Sequence, residues 1–278
     1  MRQPFSPLAL ALAAILVAAP SCGPSRKAVQ SAEDALFRET ALDLAIDAPT
    51  RTPANTARDR YRHPRETLSF FEVDPTDTVV EIWPGGGWYT EILAPYLSAR
   101  GTYYAAGNER QLRDAKAMVA RDPLTYGEIK FAAFPAAAGE TRVPDGTADV
   151  VLTFRNVHNW LMADPPFGEE AFRQMHAMLK KGGILGVVEH RLPEDADPSR
   201  EPRSGYVRVS TVRALAERAG FRLVASSEIN ANPRDTKDHP NGVWSLPPAL
   251  RGGDADREKF LAIGESDRMT LKFIRPNR

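Results

Sequence analysis

A chain of 278 residues with 42% hydrophobic and 26% charged side chains has the makeup of a globular protein that can bury a sizeable core without disulfide or metal staples. Its 36 basic residues are matched by 36 acidic ones, and without a concentrated positive face nucleic acid is excluded as the main partner. The single cysteine, Cys22, excludes internal disulfides and thiolate metal clusters.

Taken in chain order, the first element is the apolar run Pro7 to Ala19 behind Arg2, leading through Pro20 and Ser21 to Cys22. The run is too short to span a bilayer, which takes about 20 apolar residues. It reads as an export signal over residues 1–22, with Cys22 placed as in a bacterial lipoprotein processing site. The expected location is therefore the periplasm or cell envelope, with a lipid anchor to a membrane at Cys22. Residues 23–57 read as an N-terminal helix, Ser31 to Ile46, and a linker from Asp47 to Asn55 with two prolines. A short helix is expected over Glu66 to Val73, after Pro64.

From Arg58 to the end, residues 58–278, the pattern alternates. Strands are expected at Thr78 to Trp83, Thr102 to Ala106, Ile129 to Phe134, Ala148 to Phe154, Ile184 to His190, Phe221 to Ile229 and Met269 to Ile274. Helices are expected at Tyr89 to Ser98, Glu109 to Arg121, Glu169 to Leu179 and Thr211 to Ala219, two of them closed by the glycine stop signals LKKGG and ERAGF. Short apolar strands alternating with helices predict an α/β fold whose seven-stranded, mostly parallel sheet is covered on both faces. The last strand, reached through the long excursion Asn230 to Arg268 with no clear helix, is expected to be antiparallel.

The chemistry should sit beyond the carboxyl ends of the strands. There the first strand runs into Glu81-Ile82-Trp83-Pro84-Gly85-Gly86-Gly87. Glycines let the backbone approach a ligand that a side chain would exclude. A P-loop is ruled out because no Gly-Lys-Ser/Thr follows, and Thr90 breaks the dinucleotide pattern. Glu81 would repel a pyrophosphate and attract a cationic amino group, which argues against a nucleotide-linked oxidoreductase.

On these residues the chain resembles the class I S-adenosylmethionine-dependent methyltransferases, whose first motif is an acidic residue followed by alternating glycines, with Trp83 here in place of the first glycine. The resemblance extends in element order from Thr67 to Pro276, through DGTADVVLTFRNVHNW and LKKGGILGVVEH. RHPRETLSFFEV followed by PGGGWYTEIL is similar to a group of exported bacterial proteins described as predicted methyltransferases. The resemblance implies a Rossmann-like methyltransferase fold, S-adenosylmethionine as cofactor, and a small-molecule acceptor. It places Glu81, Gly85, Gly86 and Gly87 at the cofactor. The acidic residue usual at the end of the second strand is missing, leaving Asn108 or Glu109 to substitute, and Phe134-Pro135-Ala136 stands where the third strand usually leads to another. A non-catalytic ligand-binding protein that keeps this fold is the alternative.

After the fourth strand, Arg155, Asn156, His158, Asn159 and Trp160 crowd polar and aromatic groups into six residues. His158 is the candidate base, Asn156 a positioning group, Arg155 a third catalytic candidate or a local loop tie, and Trp160 a stacking surface. Glu189 and His190 end the fifth strand, where adjacency should turn them to opposite faces so that one is structural. His63 is a candidate to fold over the cofactor, Tyr206 and Arg208 are read as loop residues, and His176 as a helix packing residue. The histidines lack short ligand spacing, so no metal is expected. Asp238 to Trp244 and Ser245 to Arg251 form either a lid or a surface insertion.

Overall fold

The computed structural model describes residues 26–254 and 256–277, the side chains from residue 35 onward. The export signal expected over Met1 to Cys22, and Cys22 itself, lie outside the described residues. No described helix is long and apolar enough to cross a membrane.

Four helices come first: α1 (Arg26–Ile46), α2 (Pro53–Thr56), α3 (Asp59–Arg62) and α4 (Pro64–Phe70). The alternating part follows as β1 (Thr78–Ile82), α5 (Thr90–Leu97), β2 (Thr102–Ala106), α6 (Glu109–Arg121), α7 (Pro123–Tyr126), β3 (Lys130–Ala132), β4 (Ala148–Phe154), α8 (Val157–Met162), α9 (Gly168–Met178) and β5 (Leu179–Leu192). The chain closes with α10 (Glu201–Ser204), β6 (Val207–Arg208), α11 (Val209–Arg218), β7 (Arg222–Ser227), α12 (Arg257–Ile263) and β8 (Arg268–Ile274).

The sheet runs β3-β2-β1-β4-β5-β8-β7, with the two-residue β6 beside the end of β5. Pairs among the first five strands are parallel, and β8 is antiparallel to both β5 and β7. This is the mixed α/β, Rossmann-like methyltransferase fold, with the antiparallel last strand read from the sequence; β6 was not foreseen.

Apolar residues on successive strand positions feed two cores. Val80 and Ile82 face a cluster with Phe172 and Met175 of α9 and Leu215 of α11. Val79 faces the other, with Leu68 of α4, Ile92 and Leu93 of α5 and Leu112 of α6. Val79, Val80 and Ile82 are fully buried, each worth roughly 1.5–3 kcal/mol. Gly186 of β5 marks a close approach within the core, since a Cβ there would lie 2.7 Å from Phe71 Cγ and 2.8 Å from Leu152 Cδ2.

Two boundaries differ from expectation. The packed body begins before Arg58, because Leu42 and Ala45 of α1 enter the second core. Nor is Asp47 to Asn55 a free linker. Arg51 is buried, donates to the Ile46 carbonyl at 2.7 Å and forms a two-pronged bond with Asp59, also at 2.7 Å. The composition of that stretch suggested a linker, but a distant carboxylate fixes it.

The sheet geometry locates the site. From β1 the chain moves outward through β2 and β3, then returns to place β4 on the other side of β1. The loops after β1 and β4 therefore diverge and leave a crevice at their carboxyl ends.

Candidate functional site

Glu81 lies on the β1 face turned toward α5 and is almost fully buried. Thr90 Oγ1, at the start of α5, donates to its Oε2 at 3.1 Å, and the Tyr103 hydroxyl of β2 donates to the same oxygen. Burial pushes the Glu81 carboxyl up to about 7, against these hydrogen bonds and Arg155, which favour the ionised form. Its Oε1 takes no hydrogen bond from the described residues, and the side chain lines a cavity of about 320 Å³.

The glycine loop borders the same cavity. Gly85 and Gly86 line it, and a Cβ on Gly86 would meet nothing within 4 Å. Gly87 does not line it: at φ 75° it serves the turn into α5, and a Cβ there would strike Met118 Cε at 2.2 Å. Trp83 holds a left-handed backbone at φ 52°, a conformation that costs a bulky residue about 1 kcal/mol or more. Packing compensates. Its indole meets Trp160 edge-on at 5.9 Å, tilts against Phe167 and donates Nε1–H to the Phe134 carbonyl at 2.9 Å.

The β4 loop supplies the opposite wall. Asn156 Nδ2 donates to the Ile82 carbonyl at 2.8 Å and to Thr153 Oγ1 at 3.2 Å, tying the ends of β1 and β4 together. His158, buried, places Nδ1 2.9 Å from Glu189 Oε1, while its backbone N–H donates to Oε2 at 3.2 Å. A carboxylate opposite Nδ1 fixes the proton there and leaves Nε2 as the lone-pair nitrogen. Glu189 Oε1 also accepts the backbone N–H of His190, whose Nδ1 meets Ser266 Oγ. Both imidazoles border the cavity, and among the described residues neither has a hydrogen bond at Nε2. Burial, followed by His158 and nearby arginines, holds the His190 pKa well below the ordinary histidine range.

The Glu189 and His190 side chains take different partners, His158 and Ser266, yet both imidazoles reach the same cavity. Backbone alternation separates their side chains, but α8 lies across the strand end and carries His158 to the carboxylate. His158, Glu189 and His190 also offer metal-ligand atoms within 4.8 Å of one another, a grouping that sequence spacing concealed. Three N–H groups already engage the Glu189 oxygens, so the cluster is built as a hydrogen-bonded dyad with a second histidine beside it.

Several expected roles are corrected. Asn108 is the N-cap of α6, its Oδ1 accepting from Arg110 N at 3.0 Å and Gln111 N at 3.2 Å. Glu109 projects outward to Lys116, 2.8 Å away. Neither lines the cavity, because the helix start claims one and the helix surface the other. Trp160 is fully buried among Trp83, Phe134 and Phe172 and offers no stacking surface. His63 borders a separate cavity with Arg234 and Arg268. Tyr206 is buried and bonded to Asp235, not a solvated loop residue. His176 packs against Phe221 as a helix residue should.

Other walls were missed. Tyr89 and Phe154 stack at 3.5 Å and border the cavity, as do Arg62, Trp88 and Trp244. Trp244 belongs to the excursion, whose Leu246 and Pro247 line the cavity as well, a placement the sequence did not show.

Residues 80–187 match the family model described as "Methyltransferase domain". Among solved structures, an S-adenosylmethionine-dependent methyltransferase from Aquifex aeolicus is similar at a TM-score of 0.54 and 15% identity, over 86% of this chain and 99% of that one. The [4+2]-cyclase SpnF is similar at a TM-score of 0.54 and 17% identity, over 90% and 96% of the two chains. Among curated proteins, none matches this chain in sequence.

Proposed function

We propose that this protein is an S-adenosylmethionine-dependent methyltransferase acting on a small-molecule acceptor held in the cavity beyond β1, β4 and β5. The observation that carries the reading is the convergence of a buried Glu81, an open Gly85-Gly86 backbone and a Glu189–His158 dyad on one cavity. The domain match over residues 80–187 supports it.

The residues fit the amino-acid end of the cofactor. Glu81 Oε1 would hold its ammonium group, and Gly85 and Gly86 would let the backbone lie against it. At the nucleoside end the ribose would meet no carboxylate. Trp83 stands there instead, its Cδ1 3.3 Å from where a Gly107 Cβ would be. When bound, the cofactor supplies an electrophilic methyl on a sulfonium. His158 Nε2 would take the proton of the acceptor's nucleophilic atom, and Glu189 would stabilise the resulting imidazolium. Asn156 ties the ends of β1 and β4 together, and Trp244 with Leu246 adds apolar wall to the cavity.

Calorimetric titration with S-adenosylhomocysteine tests the reading. Binding in the micromolar range that disappears in Glu81→Ala supports it. No binding to a folded protein would sink it and favour a non-catalytic ligand-binding protein, a reading that Trp83 and the missing ribose carboxylate recommend.

Export with a lipid anchor at Cys22 is also proposed, on the sequence of residues 1–22 alone. Cell fractionation of Cys22→Ala checks it, and a variant still in the membrane fraction would overturn the anchor.

A further inference from the structure

The charges around the cavity do not balance. Glu265 stands in a group of guanidiniums: Arg58 Nε lies 2.6 Å from Oε1, Arg62 Nε 3.1 Å from Oε2, and Arg268 Nη1 3.2 Å from Oε2. Burial alone would raise the Glu265 carboxyl, but Arg62, Arg268, Arg58 and Arg155 outweigh it and bring it down to about 2. One carboxylate is thus paired with three guanidiniums and lies in the field of a fourth, Arg155. The excess shows in the hydrogen bonding, since Arg58 Nη2, Arg62 Nη2 and Arg268 Nε are buried without a partner. It shows again in Arg62, where burial and then Arg155 lower the pKa to about 9.

With Arg62, Arg155 brings this excess to the cavity. Its backbone is bonded, N–H to the Val188 carbonyl at 2.7 Å and C=O to Asn159 Nδ2. Its guanidinium makes no hydrogen bond or ion pair with the described residues. The residue holds φ 63°, a left-handed conformation uncommon for a long side chain and typical of positions kept for function. The other charged groups on the cavity are Arg62, Glu81, His158 and His190, with Glu189 behind the histidines. Glu189 is already saturated by N–H donors, and Glu81 is only partly ionised near neutral pH. Arg155 is half-buried and feels Glu265 and Glu189 only at a distance, with no carboxylate among the described residues paired to it; such a cation gains from a direct partner, and the planar guanidinium fork matches a carboxylate with two parallel bonds.

We infer that the ligand taken beside the cofactor carries a carboxylate, that Arg155 receives it, and that Arg58, Arg62 and Arg268 supply the surrounding positive potential. The stacked Tyr89–Phe154 pair and Trp244 form an aromatic wall on the same cavity, so a small aromatic acid is the class of acceptor that fits. This rests on the methyltransferase reading for the word acceptor, but not for the anion site itself.

The test is tryptophan fluorescence of the full chain saturated with S-adenosylhomocysteine, whose own carboxylate then fills its place. Benzoate, benzamide and phenyl phosphate are titrated in turn. Benzoate should bind at least about tenfold more tightly than benzamide, as a charge-assisted bidentate pair implies. Arg155→Asn, which suits a left-handed backbone, should weaken benzoate by at least that factor and leave S-adenosylhomocysteine affinity within about twofold. Arg155→Lys should recover part of the loss. Equal binding of benzoate and benzamide overturns the inference. So does a loss of S-adenosylhomocysteine binding in Arg155→Asn, which would assign Arg155 to the cofactor's carboxylate. Phenyl phosphate binding tenfold more tightly than benzoate overturns the choice of headgroup. If the wild type binds no S-adenosylhomocysteine, the methyltransferase reading fails by itself, and the same titrations on the unliganded protein still decide the anion site.

Discussion

Replacing Glu265 with Gln removes the one carboxylate that Arg58, Arg62 and Arg268 share. The amide keeps the shape and an acceptor oxygen, so the change isolates charge. From an ordinary 4.5, the folded-state pKa of about 2 corresponds to about 3 kcal/mol of linkage. Breaking a buried ion pair by removing one partner costs roughly 3–5 kcal/mol, so both routes give a loss of the same order. The contacts join residues more than 200 positions apart, pinning Arg58 and the end of α3 to the start of β8. Urea unfolding at pH 7 should show the loss as a lower midpoint with an unchanged slope. The pH dependence supplies a second signature. A depressed carboxyl stabilises the fold fully above about 4.5 and loses that contribution as pH falls through about 2. The difference between wild type and Glu265→Gln should therefore shrink over that window. A loss below about 1 kcal/mol at pH 7, or a difference independent of pH, would refute the charge accounting.

Glu81 gives the opposite sign. Burial raises its carboxyl to about 7, so its contribution to stability is full below about 4.5 and is lost as pH rises through about 7; Glu81→Gln should flatten that part of the stability profile in pH-resolved denaturation. If Glu81 holds the cofactor's ammonium, S-adenosylhomocysteine affinity should rise about eightfold from pH 6 to 7.5, following the ionised fraction, and the trend should vanish in Glu81→Gln by calorimetry. Glu189→Gln should lower kcat by at least about a hundredfold with a smaller change in KM, because His158 would lose the group that fixes its tautomer; steady-state kinetics on an identified acceptor checks this. Gly186→Ala, forcing a Cβ against Phe71 and Leu152, should cost about 1–3 kcal/mol in urea unfolding.

Much of the fold was legible because its signals are local. Apolar runs such as ADVVLTF and ILGVVEH carry no alternation, so they announce strands buried on both faces, and ERAGF announces where a helix stops. Gly220 confirms this with φ 98°. Glu81 and the glycines were legible for the same reason, being one contiguous stretch whose residue types limit what the backbone there can receive. Arg155, Asn156 and His158 were recognisable as a group because one loop carries them all.

What the sequence by itself determined, then, is the order of strands and helices, the cofactor-type loop at the end of the first strand, and the cluster after the fourth. Only the tertiary structure decided which of those side chains meet. Glu189 serves His158 across 31 positions, because parallel pairing of β4 and β5 brings their carboxyl ends level. Asn108 left the site because a helix start claimed its side chain, and Trp160 because four aromatic rings enclosed it. Arg62 and Glu265 entered across 203 positions, since a folded chain balances buried charge between residues that are near in space, and spacing along a sequence carries no record of that distance.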